Sequence, residues 1–282
     1  MIKTYFTPES QTEALSLKAA HGRDLWLMAG GTIFMHLLND GIIFPEMVMG
    51  LRRAGMNGVQ VNGNGNGTAV IGAAATITQM SQLDAYPMLQ QAAQAVGGWA
   101  VRNMGTVGGN LFARAPYGDF GVALLAQNAF LKLATSSGER TVSLLDFYSN
   151  GRQLADDELL TEIHIPKQNG QTYFHKQSPR QANAPTIVAV ALNLMVHDGR
   201  VTSATIALGG AGQTPVRAQA AENVLVGAAL NPESIAAATA VAAAASTPFT
   251  DAVASEWYRR KMVAVQLQRA LTSLAEGDST HA

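Results

Sequence analysis

At 282 residues the chain is long enough for about two or three compact units with cores of their own. Apolar residues make up 48%, charged residues only 14%, and the net charge is −1, so there is no electrostatic footprint for nucleic acid. With no cysteine, the polypeptide has no disulfide framework, no thiolate nucleophile and no thiolate-ligated iron–sulfur cluster, so any redox carrier in it is organic. Met1–Pro8 lacks an apolar signal core, and the longest apolar run, Ala236 to Ala245, is short and alanine-dominated. A cytoplasmic protein without a membrane span is the expectation.

In chain order, Gln11 to Ala20 reads as a helix capped by Ser10 or Thr7 and closed by Gly22. Leu25-Trp26-Leu27-Met28 is a short strand that runs into a first glycine cluster, Ala29-Gly30-Gly31-Thr32. Ile33-Phe34-Met35-His36-Leu37-Leu38 begins a helical turn behind it, and another strand lies around Glu46 to Leu51. The Asn-Gly units between Asn57 and Thr68 read as a hairpin turn, because they miss the spacing and the strand–helix context of a phosphate loop. Ala69 to Ala74 is the next strand. The amphipathic helix Pro87 to Val96 then leads to Val101-Arg102-Asn103 and a second glycine cluster, Thr106-Val107-Gly108-Gly109-Asn110.

Asp119 to Gln127 reads as helix, Phe130 to Ala134 with Arg140 to Leu144 as a hairpin around Ser137-Gly138, and Leu159 to Ile165 as a strand ended by Pro166. A domain boundary is placed after the polar Lys167-Gln168-Asn169-Gly170. Strands at Thr172 to Gln177, Thr186 to Val196 and Val201 to Leu208 follow, the last two joined at Asp198-Gly199. Helices near Arg217 to Val226, Pro232 to Ala245 and Ser255 to Glu276 complete the chain. Strands first and helices after argue for an α+β layer in this second part.

The chemistry is in the glycines. The P-loop, zincin and nucleophile-elbow patterns are absent, and the six histidines are scattered without metal-ligand spacing. Adjacent glycines let backbone approach a ligand closely and let successive N–H groups face one concavity, which suits an anion such as a diphosphate. Two such clusters suggest a nucleotide cofactor held from two sides. Thr32, Thr106 and Asn110 add hydroxyl or amide groups at the rims. Trp26 and Trp99 flank the clusters and read as core packing rather than as stacking partners.

Together these motifs resemble the FAD-binding medium subunit of molybdenum hydroxylases, the xanthine dehydrogenase and carbon monoxide dehydrogenase family. In that family an A-G-G-[TS] loop follows a strand, and a T-[VI]-G-G-N loop follows an R-N pair and precedes an aspartate. Ala29–Thr32, Arg102-Asn103 with Thr106–Asn110, and Asp119 are similar to these. Leu159–Pro166 resembles the strand that passes the flavin, and Phe174-His175-Lys176 its following lysine strand. Ala207–Ala211, Thr214–Arg217 and Glu256–Arg260 resemble the flavoprotein C-terminal domain. The likeness spans nearly the whole chain. One departure is Ile33, which stands where many members carry Asp, Asn or Ser and so removes one bond to the cofactor.

The resemblance implies an α+β fold: a two-subdomain, vanillyl-alcohol-oxidase/PCMH-like FAD-binding domain over 1–168 (subdomains about 1–55 and 56–168), then a C-terminal domain over 169–282 with a small antiparallel sheet plus helices. It implies FAD as the cofactor, contacted by Leu27, Met28, Ala29, Gly30, Gly31, Thr32, Ile33, Phe34, Val96, Thr106, Val107, Gly108, Gly109, Asn110, Asp119, Leu160 and Lys176, with no catalytic residue and no metal of the chain's own. Asp119 is read either as an acceptor for a ribose or ribityl hydroxyl or as a helix N-cap. Lys176 is read either as a cation beside the flavin or as a solvated strand lysine.

The implied role is electron transfer in a heterotrimer. A large molybdopterin-binding subunit hydroxylates substrate, [2Fe-2S] clusters of a small subunit pass electrons on to the FAD, and the assembly is a dimer of heterotrimers. A stand-alone flavin oxidase and a flavin-free scaffold are the alternatives.

Overall fold

The computed structural model describes residues 2–62, 67–167 and 169–277. Part of the Asn-Gly turn therefore lies outside the described residues. Three strands near the N-terminus, β1 (Thr4–Phe6), β2 (Leu25–Met28) and β3 (Met47–Gly50), form a parallel sheet in the order β1-β3-β2. Helix α1 (Gln11–His21) connects the first two. Ser10 caps it by accepting from the Glu13 amide, and Gly22 closes it at φ 51°. Helix α2 (Phe34–Asn39) follows β2.

A second, antiparallel sheet has the order β4-β5-β8-β6-β7, from Val59–Val61, Ala69–Gly72, Leu159–Ile165, Phe130–Ala134 and Glu139–Ser143 respectively. Short helices α3 (Ile77–Met80), α4 (Pro87–Ala95), α5 (Trp99–Met104), α6 (Val107–Leu111), α7 (Asp119–Ala126) and α8 (Leu144–Ser149) fill the connections. A third sheet, β12-β11-β10-β9, is antiparallel: Gln171–Gln177 (β9), Val188–His197 (β10), Arg200–Gly209 (β11) and Val216–Arg217 (β12). Its β10–β11 hairpin turns at Asp198-Gly199, both at positive φ, as the sequence pattern requires. Helices α9 (Gln219–Leu225), α10 (Pro232–Ala245) and α11 (Glu256–Ala275) cover one face of that sheet.

The other face packs against α7, whose eight residues are all buried. An apolar helix without a polar side must lie between layers, and α7 does so. Phe120, Val122 and Leu124 share one core with Leu131 and Ile163 of the second sheet and with Ala189, Ala191 and Ala207 of the third. At its end, β11 comes so near that a methyl on Gly209 would stand 2.8 Å from Val122 Cγ2.

Several expectations change here. The strands β1 and β4 and the short helices α3, α5, α6 and α8 are additions, because three- to six-residue elements carry too little periodicity to be read; β4 takes up Val59–Val61 of the stretch read as a turn. Arg217, read as the start of a helix, ends β12 and pairs with Ala207. Trp26 and Trp99 are not core residues: they are 41% and 73% exposed. Trp26 lies on an edge strand facing out over Phe34, with ring centroids 6.4 Å apart, and Trp99 opens α5 at the surface.

Truncating Phe120, which has no exposure, removes the ring that joins the two sheets. Phe120→Ala is expected to lower unfolding free energy by about 3–5 kcal/mol, read by denaturant titration of the purified chain.

Candidate functional site

Parallel strands end on the same edge of their sheet, and ligands of open α/β sheets sit beyond that carboxyl edge. All three strands of the first sheet deliver residues there. Tyr5 and Thr7 come from the end of β1, Met28 to Thr32 and Met35 from the end of β2, and Gly50, Arg52 and Arg53 from the end of β3. With Met104 from α5 opposite, they line a cleft of about 470 Å³. The edge is held in register by the Leu51 amide, which donates to the Met28 carbonyl at 2.9 Å.

The first glycine cluster forms the floor of this cleft. Among the described residues the amides of Gly30, Gly31, Thr32 and Ile33 donate to no acceptor of the chain, although the Gly31 carbonyl accepts from Met35 at the start of α2. Four consecutive amides without acceptors, beside the exposed Thr32, are the donor set an anion requires. Each glycine has its own reason. Gly31 sits at φ 75°, where a side chain is strained. A methyl on Gly30 would collide with the Met104 carbonyl and the Gly105 Cα, so the cluster lies directly against the backbone that leads into the second one. Ile33 is 42% exposed and Phe34 half-buried, both at the entry to α2. Leu27 and Ala29 pack against the core beneath the sheet.

The second cluster differs from expectation. It is helix α6, with Thr106 as N-cap. Its amides do not open into a concavity. Val107 donates to Ala75 O and Gly108 to Ala73 O, each at 2.8 Å. Gly109 donates to Thr106 Oγ1 at 3.1 Å, and Asn110 to the Thr106 carbonyl at 2.9 Å. Gly108 is needed for packing, since a methyl there would stand 2.8 Å from Ala73 O. The capacity left in this cluster is Asn110 Oδ1, buried with no partner among the described residues.

Asp119 and Lys176 are brought together. Lys176 Nζ lies 2.7 Å from Asp119 Oδ2 and donates to the Ala95 carbonyl at 3.0 Å, and both side chains are only 8% exposed. Asp119 Oδ1 accepts from the Thr186 hydroxyl. The N-cap reading of Asp119 and the solvated reading of Lys176 both fail. Gly118, at φ 94°, occupies the cap position of α7, and Lys176 is not solvated. From Thr186 the network runs into α11. The fully buried Arg259 donates Nη1 to the Thr186 and Ile187 carbonyls, at 2.9 and 2.5 Å, and Nη2 to both oxygens of Asp251. Burial alone would raise the Asp251 carboxyl, but the amides of Ala254 and Val253 and the Arg259 guanidinium together hold it below its ordinary range.

Between α6 and α7 the chain is tied down by Arg152, whose Nη1 donates to the Phe112 and Ala113 carbonyls at 3.2 and 2.5 Å. Val96 lies buried at the end of α4, its carbonyl accepting from Arg102 Nη1 at 3.3 Å. Leu160 is buried in β8, registered with Leu133. Tyr5, Thr7, Arg52, Arg53 and Met104 were missed at the sequence level. The signal for the arginines was their place directly after a strand that pairs in parallel with the one preceding the first cluster.

The comparisons agree with this architecture. The family model described as the FAD binding domain in molybdopterin dehydrogenase matches residues 1–168, and that of the CO dehydrogenase flavoprotein C-terminal domain matches residues 173–274. The chain is 30% identical to the glyceraldehyde dehydrogenase medium chain of Sulfolobus acidocaldarius over 281 residues, 96% of this chain and 98% of that one. It is 30% identical to the carbon monoxide dehydrogenase medium chain of Afipia carboxidovorans over 275 residues, 95% and 94% of the two chains. Among solved structures it resembles a chain of the Cu,Mo-CO dehydrogenase, with a TM-score of 0.88 at 29% identity over 96% of this chain and 98% of that one. It also resembles a chain of quinoline 2-oxidoreductase from Pseudomonas putida 86, with a TM-score of 0.89 at 26% identity over 98% of each.

Lys176→Met would leave the Asp119 carboxylate buried without its cation, at an expected cost of about 3–5 kcal/mol. Combining it with Asp119→Asn should cost clearly less than the sum of the two single changes. Chemical denaturation of the four proteins in the cycle reads both outcomes.

Proposed function

Because this chain belongs to the family of FAD-binding domains in molybdopterin dehydrogenases, we propose that it is the electron-transfer subunit of a heteromeric molybdenum hydroxylase, taking electrons from iron–sulfur clusters in a small partner subunit and passing them to a terminal acceptor. A large molybdopterin-binding subunit completes the heterotrimer, which assembles as a dimer of heterotrimers. FAD, when bound, supplies the exchange between one-electron and two-electron carriers that this position requires.

The observation that carries the reading is the set of amides from Gly30 to Ile33 without acceptors, at the carboxyl edge of the parallel sheet. These donors hold the diphosphate, assisted by the Thr32 hydroxyl. Leu27, Met28, Ala29 and Phe34 shape that wall. Thr106, Val107, Gly108, Gly109 and Asn110 lie behind the Met104–Gly105 backbone that meets Gly30, and what they offer the cofactor is Asn110 Oδ1, available to a hydroxyl donor. Val96, Leu160, Asp119 and Lys176 bound the site further along, the last two as a preset ion pair. Residues 1–168 then act as the cofactor-binding domain and 169–282 as the domain whose sheet backs α7.

A self-sufficient oxidase is disfavoured by the cleft lining, where among the described residues there is no carboxylate and no histidine to move a proton from a substrate. With no cysteine among its 282 residues, this sequence supplies no thiolate for an iron–sulfur cluster, which is consistent with clusters held elsewhere in the assembly.

The native protein, purified gently, is expected to show a flavin spectrum and to bring down two further chains identifiable by mass spectrometry. A flavin spectrum with no partner chain would instead favour the oxidase, and partners without flavin even after FAD is added would favour the scaffold. Gly30→Ala drives a methyl into the Met104 carbonyl and should lower FAD occupancy roughly tenfold or more, about 1.4 kcal/mol upward. Gly58→Ala, whose methyl meets nothing within 4 Å, should keep full occupancy. Flavin absorbance per chain measures both.

A further inference from the structure

The cleft is charged on one side only. Among the described residues that line it, Arg52 and Arg53 are the only charged ones and none is a carboxylate. Elsewhere, Arg140, Arg217, Arg259 and Arg260 each pair with an acid, and Arg102 and Arg152 are engaged by backbone carbonyls. Arg52 places Nη2 2.8 Å from Met104 Sδ, a weak acceptor, and its other donors have no acceptor among the described residues. Arg53 has no hydrogen bond or ion pair there. Both side chains are exposed, so neither is needed for the core.

We propose that Arg52 and Arg53 are a nucleoside-diphosphate clamp that closes the first glycine cluster from the opposite side, Arg52 exchanging the Met104 sulfur for a phosphate oxygen. The proposal rests on the reading that the diphosphate of FAD lies at Gly30–Ile33. The chemistry follows from the two donor types. Amides in a row hold one face of a diphosphate but leave outer oxygens uncompensated, and guanidinium forks match those oxygens. The short tether helps. Arg52 follows Leu51, whose amide is bonded to the Met28 carbonyl at the start of the glycine loop, so the backbone that carries the clamp is tied to the floor while the side chains stay free to turn onto a ligand. The clamp makes the ADP half of the cofactor the anchored half, and the cleft therefore takes ADP on its own.

The test titrates flavin-free full-length chain with FAD and, separately, with ADP, at two salt concentrations. Wild type is expected to bind both, more weakly at higher salt. Arg52→Ala and Arg53→Ala should each weaken both ligands by roughly ten- to a hundredfold, the range of a charged hydrogen bond, and should flatten the salt dependence. Arg52→Lys should restore part of the affinity, since it keeps the charge but not the fork. Melting temperatures of the flavin-free variants should match wild type. If the double Arg52→Ala, Arg53→Ala variant binds FAD and ADP with unchanged affinity and salt dependence while Gly30→Ala loses them, the clamp is wrong and the FAD reading stands. If wild type binds neither ligand, both fail.

Discussion

The arrangement depends on one buried ion pair, Lys176 with Asp119 at 2.7 Å. Asp119 is the first residue of α7, the helix sandwiched between two sheets, and Lys176 comes from β9, an edge strand of the C-terminal sheet. A pair this deep is tolerated only when each partner's remaining capacity is met. Here the second carboxylate oxygen takes the Thr186 hydroxyl and the ammonium takes the Ala95 carbonyl. Through Thr186 the pair is backed by Arg259, so the C-terminal helix α11 and the start of α7 are parts of one network. This is why the C-terminal domain cannot be regarded as a decoration. Its sheet supplies the cation, and its last helix fixes the residue that orients the anion.

The two glycine clusters look alike in sequence but do different physical work. The first leaves its amides facing the cleft and uses Gly30 to lie against the Met104–Gly105 backbone. The second folds into α6, turns every amide of Val107 to Asn110 inward, and uses Gly108 to seat the helix on Ala73. One cluster lines the cleft, and the other is packed into the interior. Gly30 meets the Met104–Gly105 backbone and Gly108 meets the Ala73 carbonyl, so at each glycine the close neighbour is main chain, which cannot move aside as a flexible side chain could.

That division could not be read from the sequence. Paired glycines signal close approach but not what is approached. The partners of Gly108 and Gly30, Ala73 and Met104, lie at distances along the chain that no local pattern reports. What was legible was whatever repeats or caps. The Ser10 cap, the strand into Ala29, the Asp198-Gly199 turn and the long helices α10 and α11 fall where pattern and turn chemistry put them. The motifs that resemble the family also located both clusters, Asp119 and Lys176, but not that the last two neutralise each other in the interior. A lysine in an alternating strand looks solvated until the helix that buries it is placed. The arginines at the cleft were hidden for a related reason, since their meaning comes only from the parallel pairing of β3 with β2.

The two helices that give Met35 and Met104 to the cleft carry a further concentration of exposed apolar side chains. Ile33, Met35, Ile42 and Phe44 on and after α2, and Trp99, Val101 and Met104 on α5, are large hydrophobic side chains at least 36% exposed. Single exposed apolar residues are ordinary, but a concentration on the two helices that border one cleft is not. Apolar exposure of that extent beside a cleft is the mark of an interaction surface.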